Sequence, residues 1–435
     1  MNNSRKDWIS AQLGEFFNIQ TGNTPRKANP QNYGEDIPFI KPPDISNSII
    51  STASEYLSMQ GAECARILEP NSVLITCIGY LGRVGITKSV VAFNQQINAI
   101  TPNRFVIPKY TFYYAQSQEF INELISMSTS TTVALVNKSN FSKIELALPP
   151  LPIQRAIVAR IEELFSSLDQ GIADLKRAQA QLKIYRQAVL KKAFEGKLTK
   201  VPMTKGVNIG SVTEINPKLE NKNLINGDFE VQFVPMKLVE EVNNKIHLNE
   251  VRTFGEIQGK SYTYFADGDV IFAKVTPCME NGKIAVANDL RNGIAYGSSE
   301  FHVFRCGPTI LNTYLFYFVV QERFRKDSEQ AMTGAVGLRR VPVNFLKDYE
   351  IPMPEHITMQ VEVVKEIESR LSVCDSIERT IAESLSKAEA LRQSILKKAF
   401  EGKLLTQEEI TRCEQEPDYE PAAVLLDRIK QEKRK

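Results

Sequence analysis

The sequence has little of what catalytic and metal-binding sites use most. Its 435 residues include three histidines, one tryptophan and six scattered cysteines, with no Cys-x-x-Cys pair. Because zinc sites draw on clustered cysteine and histidine ligands, no metal site is expected. The apolar runs, such as residues 314–320, are far shorter than the ~20 residues that cross a bilayer, and residues 1–7 lead into no signal core. We therefore expect a cytoplasmic protein with reduced thiols and no membrane contact.

The sequence also lacks a large excess of charge of either sign, and it lacks the motifs of common enzymes. The chain has 53 Lys and Arg against 51 Asp and Glu, a net charge of +2. Binding to nucleic acid would therefore need a locally basic surface. The sequence contains no Asn/Asp-Pro-Pro-aromatic motif, no P-loop, no acidic nuclease triplet and no arrangement of a nucleophile with a base. We predict that the chain is not an enzyme, has no catalytic residues and binds no cofactor itself.

What the sequence does contain is a duplication. Residues 187–198 and 393–404 are identical except at Ala188/Ser394 and Val189/Ile395, and the two copies lie 206 residues apart. That distance is far longer than a solenoid repeat, so it indicates two domain-sized halves. Strand signals, glycine turns and an aromatic helix (residues 110–126 in the first half) recur in the same order in the second half, at low identity.

Apolar side chains at a seven-residue spacing precede each copy of the duplicated stretch. This spacing predicts two long helices, each with a coiled-coil seam and about 60 Å long. Two such helices in one chain pack most simply against each other. The first column of the seam is Ile161, Leu168, Leu175, Leu182 and Val189 in one helix, and Ile367, Cys374, Ile381, Ala388 and Ile395 in the other.

The predicted fold is α+β, with two globular domains joined by two long antiparallel coiled-coil helices and a pseudo-two-fold internal repeat. The first domain spans 1–150, the first long helix 151–200, the second domain 201–350 and the second long helix 351–404. The charged C-terminal tail, 405–435, is predicted to be a frayed or docking helix.

Several motifs together resemble the specificity (S) subunits of type I restriction-modification enzymes. The duplicated Leu-Lys-Lys-Ala-Phe-Glu-Gly-Lys-Leu sequence is the most specific of them. Proline-rich segments with a glutamine, at 149–154 and 351–360, are similar to the family's entry into its long helices. Residues 21–25 resemble the opening of many of its target-recognition domains, and residues 420–429 resemble its C-terminus.

The resemblance implies a non-catalytic DNA-binding subunit that acts in defence against foreign DNA. Each globular domain would be a target-recognition domain for one half of a bipartite asymmetric site on double-stranded DNA. The coiled coil would set the spacer and dock two modification (methyltransferase) subunits. Those partners would bind S-adenosylmethionine and methylate adenine, and restriction/translocase subunits would use ATP and Mg.

Candidate DNA contacts lie in turns and polar segments between the predicted strands. Lys, Arg and backbone amides hold phosphates, whereas Arg, Asn and Gln also recognise base edges. The alternatives are solvated or carboxylate-paired cations, and amides that form buried hydrogen bonds. Residues 129–132 could also contact phosphate, or form a simple polar loop. The candidates are Arg26, Lys27, Tyr80, Arg83, Asn94, Gln95 and Gln96 in the first domain, and Lys274, Lys283, Arg339 and Arg340 in the second.

The duplicated stretch itself supplies candidate partner-docking residues. Its lysines could favour a helix C-terminus or bind a partner common to both halves. Its phenylalanines could anchor that partner or pack within the chain. The candidates are Lys191, Lys192, Phe194, Lys397, Lys398 and Phe400. A different class of function stays open, namely a coiled-coil scaffold whose globular domains bind proteins.

Overall fold

The structure, a computed structural model, describes residues 6–129, 133–204, 206–220, 225–335 and 338–433. Residue contacts divide the chain into two compact units. One unit combines Met1–Leu175 with Glu383–Lys435, and the other is Lys176–Ala382. Both boundaries fall inside long helices, so each unit contains one globular domain and part of each helix.

The first domain is a strand-rich body that ends in a long helix. Its strands are β1 (Ile9–Gln12), β2 (Ile19–Thr21), β3 (Tyr33–Ile40), β4 (Ser48–Ile50), β5 (Tyr56–Leu57), β6 (Ile67–Leu68), β7 (Val73–Thr76), β8 (Val84–Thr87), β9 (Val91–Phe93), β10 (Ile97–Ile100) and β11 (Glu145–Leu148). The helices are α1 (Leu13–Phe16), α2 (Met59–Glu63), α3 (Pro108–Ala115), α4 (Gln118–Ser126), α5 (Lys138–Phe141) and the long α6 (Leu151–Phe194).

The second domain repeats this order of elements. Its strands are β12 (Val207–Asn208), β13 (Thr213–Ile215), β14 (Glu230–Val234), β15 (Val251–Thr253), β16 (Thr263–Ala266), β17 (Val270–Ala273), β18 (Ile284–Val286), β19 (Ile294–Gly297), β20 (Phe301–Cys306) and β21 (Glu350–Ile351). Its helices are α7 (Ile209–Val212), α8 (Phe254–Ile257), α9 (Asn312–Val319), α10 (Glu322–Ala331) and α11 (Val343–Asp348). The second long helix α12 (Ile357–Phe400), α13 (Gln407–Glu414) and α14 (Ala422–Lys433) complete the chain.

The sheets of the two domains correspond, except that the largest sheet of the first domain has one additional strand, β4. The first domain has sheets ordered β2-β10-β7-β8-β4, β5-β3-β9-β6 and β1-β11. The second has β13-β20-β17-β18, β15-β14-β19-β16 and β12-β21. The central strand β7 is buried along its whole length because α3 and its neighbours cover one face and a second apolar cluster covers the other. This two-sided burial explains its uninterrupted apolar sequence.

The aromatic helix predicted at 110–126 is two helices rather than one. Ser117 ends the first and begins the second, because its Oγ accepts a hydrogen bond from the Phe120 amide at 3.3 Å. A serine at the N-cap satisfies an amide that the new helix would otherwise leave without a partner. The second domain has the same break between α9 and α10.

In the unit that contains the first domain, α6 and α12 run antiparallel. Arg392 forms an ion pair with Asp169 and lies 4.3 Å from the centre of the Phe165 ring. Further toward the start of α6, Ile157 shares an apolar site with Ala399. Residue numbers fall along one helix as they rise along the other.

The other unit has the same helix pairing. Arg186 bonds Asp375 at 2.5 Å and Glu378 at 2.8 Å, and Leu190 shares a core with Val363. All five first-column residues of α12 are buried. The predicted α+β fold with two long packed helices is therefore confirmed.

Two buried glutamines tie the start of each long helix to its domain. Gln154 accepts a hydrogen bond from the Ile107 amide at 2.9 Å. Gln360 accepts one from the Leu311 amide at 2.9 Å and donates to the Thr309 carbonyl at 2.8 Å. Both glutamines are fully buried, so losing either side chain would leave buried backbone groups without partners.

The C-terminal tail packs on the first domain. Leu425, Leu426 and Ile429 of α14 are buried in the core of that domain. The Lys433 ammonium donates to the carbonyls of Gly14 and Phe17 at 2.7 and 2.6 Å, where α1 ends. Of the two predictions for the tail, the docking helix is the one that the structure contains.

Candidate nucleic-acid interface

The turn between β7 and β8 presents an aromatic ring and a cation. Gly79 and Gly82 adopt positive φ angles of 78° and 82°, which glycine reaches without strain. The Thr76 hydroxyl donates to the Tyr80 carbonyl at 2.6 Å and accepts from the Arg83 amide at 3.0 Å. Tyr80 is 79% exposed, and the Arg83 guanidinium lies 5.3 Å from the centre of its ring.

Two further segments flank this turn through backbone hydrogen bonds. The Cys77 amide donates to the Gln96 carbonyl at 2.8 Å, and the Val136 amide donates to the Cys77 carbonyl at 2.9 Å. The Gly79 amide donates to the Ala134 carbonyl at 2.9 Å. Candidate segments far apart in sequence therefore meet at one edge of the five-stranded sheet. Of the predicted phosphate-binding loop 129–132, residues 130–132 lie outside the described residues.

The three amide candidates have different environments. Asn94 is buried, and its side chain donates to Gln96 Oε1 at 3.0 Å and accepts from the Gln96 amide at 3.1 Å. This is the buried hydrogen bonding that stood as the alternative to base recognition. Gln95 is exposed and accepts from the Thr24 hydroxyl at 2.5 Å.

Arg26 and Lys27 follow Thr24 and Pro25, and the hydrogen bond from Thr24 brings their segment beside Gln95. Both side chains are exposed. The Tyr33 hydroxyl donates to the Pro25 carbonyl at 3.0 Å and fixes the turn. Among the described residues, no carboxylate forms an ion pair with Arg26, Lys27 or Arg83. The first domain thus presents three cations without an acidic partner.

Backbone bonds place Lys274 of the second domain at the position of Cys77. The Lys274 amide donates to the Glu300 carbonyl at 2.9 Å, and its own carbonyl accepts from the Val341 amide at 2.9 Å. This is the bonding that Cys77 has with Gln96 and Val136. By the same criterion Glu300 corresponds to Gln96, and Lys283 corresponds to Arg83. Burial lowers the pKa of Lys274, and Glu300 partly opposes the shift.

The other three candidate cations of the second domain have partners within the chain. Arg340 holds Glu300 through two hydrogen bonds of 2.8 and 2.7 Å, which lower the carboxyl pKa of Glu300 and raise the pKa of the guanidinium. Arg339 lies 3.8 Å from Glu329. The Lys283 ammonium donates to the Val239 carbonyl at 3.0 Å. The two arginines thus match the alternative of carboxylate-paired cations, and Lys283 is held by a backbone carbonyl. Residues 336–337 of the loop that contains Arg339 and Arg340 lie outside the described residues.

The second domain also contains residues that sequence reasoning missed. Tyr264, Tyr296 and Phe254 line a pocket that also includes Lys274. The available signal was the clustering of aromatic residues between 254 and 265, with tyrosines at the alternate positions 262 and 264. That pattern is also typical of an ordinary half-buried strand, so the sequence alone did not single it out.

The phenylalanines of the duplicated stretch pack within the chain. The Phe194 ring contacts Tyr314 and Phe318, with centroid distances of 4.9 and 5.2 Å. The Phe400 ring contacts Tyr110 and Tyr114 in the same way, at 5.3 and 5.2 Å. Both phenylalanines are buried, which favours intramolecular packing over the predicted docking role.

The lysines of the same stretch point away from the core. Lys191 and Lys397 have side chains that are 71% and 75% exposed, at 3.8 and 3.9 Å from the glutamates four residues on. Lys192 and Lys398 are exposed too. A partner could therefore reach all four lysines without any unfolding.

Neither a metal centre nor a membrane span is found in the described part of the chain. There, no group of three or more His, Cys, Asp or Glu side chains is placed to hold a metal ion. None of the described helices is long and apolar enough to cross a bilayer. The six cysteines form no disulfide with one another.

Comparison with known proteins gives the family. Residues 5–177 match the model described as "Type I restriction modification DNA specificity domain". The specificity subunit of the type I restriction enzyme StySPI from Salmonella potsdam is 23% identical over 98% of this chain and 95% of its own length. Residues 5–177 therefore belong to the family of type I restriction-modification specificity domains, and the chain is similar to specificity subunits of such enzymes over nearly its whole length. This confirms the family that the duplicated motif predicted.

More similar family members match over a shorter length. The EcoEI specificity subunit of Escherichia coli is 30% identical over 52% of this chain, and the aligned part spans only 43% of that relative. Two solved structures share the fold. A chain of a type I restriction-modification system has a TM-score of 0.71 at 19% identity, covering 91% of this chain and 98% of its own length. The HsdS subunit of Thermoanaerobacter tengcongensis has a TM-score of 0.54 at 19% identity, covering 92% and 98%.

Proposed function

We propose that this specificity-family chain is the non-catalytic DNA-recognition subunit of a type I restriction-modification complex, and that each globular domain recognises one half of a bipartite site. The observation that carries the proposal is the pair of equivalent sheet edges with different side chains. Cys77, Gln96 and Arg83 at one edge correspond to Lys274, Glu300 and Lys283 at the other. One scaffold with two different edges suits two half-sites of different sequence.

The long helices are proposed to set the spacer between the half-sites. Each is an uninterrupted helix of 44 residues, about 66 Å long. Each begins in one compact unit and ends in the other. A rigid connection of fixed length would keep the two recognised sequences at a fixed separation.

The exposed lysines Lys191, Lys192, Lys397 and Lys398 are proposed to contact two modification subunits. Their equal placement in both copies supports a partner that meets both halves of the chain. In this proposal the partners carry S-adenosylmethionine, and restriction/translocase subunits carry ATP and Mg. This chain contributes recognition and positioning only.

Reconstitution with a modification subunit tests the proposal. The purified chain with that subunit and S-adenosylmethionine should methylate adenine at one bipartite sequence, and the chain alone should methylate nothing. In gel shifts with duplex DNA, affinity should fall steeply with salt as phosphate contacts release counterions. A protein-binding scaffold would instead show no DNA binding even at low salt. Methyl transfer by the chain alone would also contradict the proposal.

A further inference from the structure

The second domain has a pocket of about 640 Å³ beside its candidate DNA-contact edge. Lys274 lies at the boundary between that edge and the pocket. Five aromatic side chains line it, and strands β16 and β19 supply two of them. The lining aromatics are Phe254, Tyr262, Tyr264, Tyr296 and Phe301.

Neighbouring contacts hold the tyrosine rings in place. Tyr264 and Tyr296 are directly opposite on β16 and β19, with ring centroids 5.7 Å apart and planes tilted by 51°. The Arg305 guanidinium lies 5.5 Å from the centre of the Tyr264 ring. Asp269 fixes that guanidinium through hydrogen bonds of 2.9 and 2.7 Å. Because these rings are positioned in advance, little ordering would accompany the binding of a flat ligand.

The charged residues that line the pocket are all cations. Lys218, Lys260 and Lys274 line it, and none of its described lining residues is Asp or Glu. The chain as a whole has 53 basic and 51 acidic residues. Three lysines without an acidic lining residue are therefore a local excess of positive charge, which favours an anionic ligand. Among the described residues, none of the three lysines forms an ion pair. A ligand with an aromatic ring and an adjacent negative charge would satisfy both features.

The first domain has smaller or aliphatic side chains where the second has the two tyrosines. Strand β19 pairs in parallel with β14, and β9 pairs in parallel with β3. In this register Tyr296 of β19 corresponds to Ala92 of β9. Tyr264 likewise corresponds to Ile67, which pairs with Ala92. In the same domain the Asn23 side chain donates to the Cys64 carbonyl at 2.8 Å.

We propose that this pocket takes a nucleobase that has left the base stack of the bound duplex, with the flanking phosphates against the lysines. The inference rests on the proposed function, because it assumes that the second domain binds DNA. Aromatic rings stack on any base face, and cations hold the backbone beside it. A protein side chain would match the rings but not the uniform positive charge.

The test uses the chain assembled with its modification subunits and a target mapped from methylated adenines. A series of duplexes carries 2-aminopurine at one position each of the half-site recognised by the second domain. One position should brighten on binding, because an unstacked 2-aminopurine is no longer quenched. A mismatch at that position should tighten binding, since the base is already unpaired.

Variants assign the signal to the pocket. Tyr296→Ala introduces the residue that the first domain has at the equivalent position. It should abolish the signal and weaken binding by roughly ten- to a hundredfold. Tyr296→Phe keeps the ring and should keep both. Lys260→Ala, at an exposed position, should weaken binding without altering the fold. The half-site of the first domain should be unaffected by all three substitutions.

The possible outcomes separate this inference from the proposed function. Failure of the complex to bind any duplex would overturn both. A second outcome would overturn the pocket inference alone. In it the parent, Tyr296→Ala and Lys260→Ala bind the target equally well, and no 2-aminopurine position brightens. Competition experiments address other ligands. The pocket inference would also be overturned if free deoxynucleoside monophosphates occupied the pocket without any effect on duplex binding. The same holds if Tyr296→Ala lost a protein partner while its DNA affinity stayed unchanged.

Discussion

Arg83 and Arg340 are both exposed arginines on candidate loops, and they differ in what they contact. Arg340 is bound to Glu300 in a two-bond ion pair. Among the described residues Arg83 forms no ion pair, and its guanidinium lies against the Tyr80 ring. Swinging Arg340 onto DNA would break its bonds to a carboxylate, whereas Arg83 would lose much less. We therefore expect Arg83 to contribute more to DNA affinity than Arg340.

Substitution measures this difference. Arg83→Ala should weaken DNA binding and reduce the salt slope by about one unit if it contacts a phosphate. If it contacts a guanine, the loss should be about 1–3 kcal/mol and specificity should relax at one position. Arg340→Ala should have a smaller effect. The matched control is Arg412→Ala on α13, which removes the same charge from the tail. Equal binding by the Arg83 and Arg412 variants would contradict the prediction.

Side-chain partners are the part of the site that sequence could not supply. The sequence located the turn at 79–83 and the amides at 94–96, because glycines and polar residues interrupt apolar strands there. It could not tell that Asn94 is buried and Gln95 exposed. Nor could it find Glu300 as the partner of Arg340, since the two are 40 residues apart and meet only in the folded domain.

The duplicated helix end has an internal explanation at the scale of the element. Leu190, Ala193 and Phe194 are buried at positions i, i+3 and i+4, which lie on one face of a helix. Gly196 follows with a φ of 69°, and the Lys197 amide donates to the Lys192 carbonyl at 2.8 Å, a Schellman-type helix end.

The second copy repeats the same contacts. Leu396, Ala399 and Phe400 are buried, and Gly402 has a φ of 71°. Because both stretches pack against their own domains in the same way, this packing accounts for much of their near-identity. An apolar face is equally suited to a partner chain or to the chain's own domain, which is why the sequence left both interpretations of the phenylalanines open.

Stability measurements distinguish packing from docking. Phe400→Ala should lower the free energy of unfolding of the unit containing the first domain by about 3–5 kcal/mol, through lost burial and a cavity. Phe194→Ala should do the same in the other unit. Lys397→Ala and Lys191→Ala should leave stability within about 0.5 kcal/mol and weaken binding of a modification subunit. Chemical denaturation and pull-down assays provide the two measurements. A Phe400→Ala chain of parental stability that no longer binds its partner would contradict the packing assignment.

At the scale of the whole molecule, the compact units do not follow the order of the chain. The first domain shares its unit with the end of α12 and the tail, and the second shares its unit with the end of α6. The heptad spacing predicted the long helices because burial of one stripe leaves a regular trace in a sequence. It did not predict where the chain divides into units, because that depends on which domain each helix end contacts.

The last prediction concerns the proposed spacer. Inserting one heptad near the middle of each long helix keeps the seam in register and adds about 10 Å of helix. At ~3.4 Å per base pair, the spacer between the half-sites should lengthen by roughly three base pairs, with both half-sites unchanged. Mapping methylated adenines in cells that express the complex gives the readout. Exchanging residues 8–150 for another first domain is the control and should change one half-site without changing the spacer. An unchanged spacer in the insertion variant, in a complex that still methylates, would show that the helices do not set the separation.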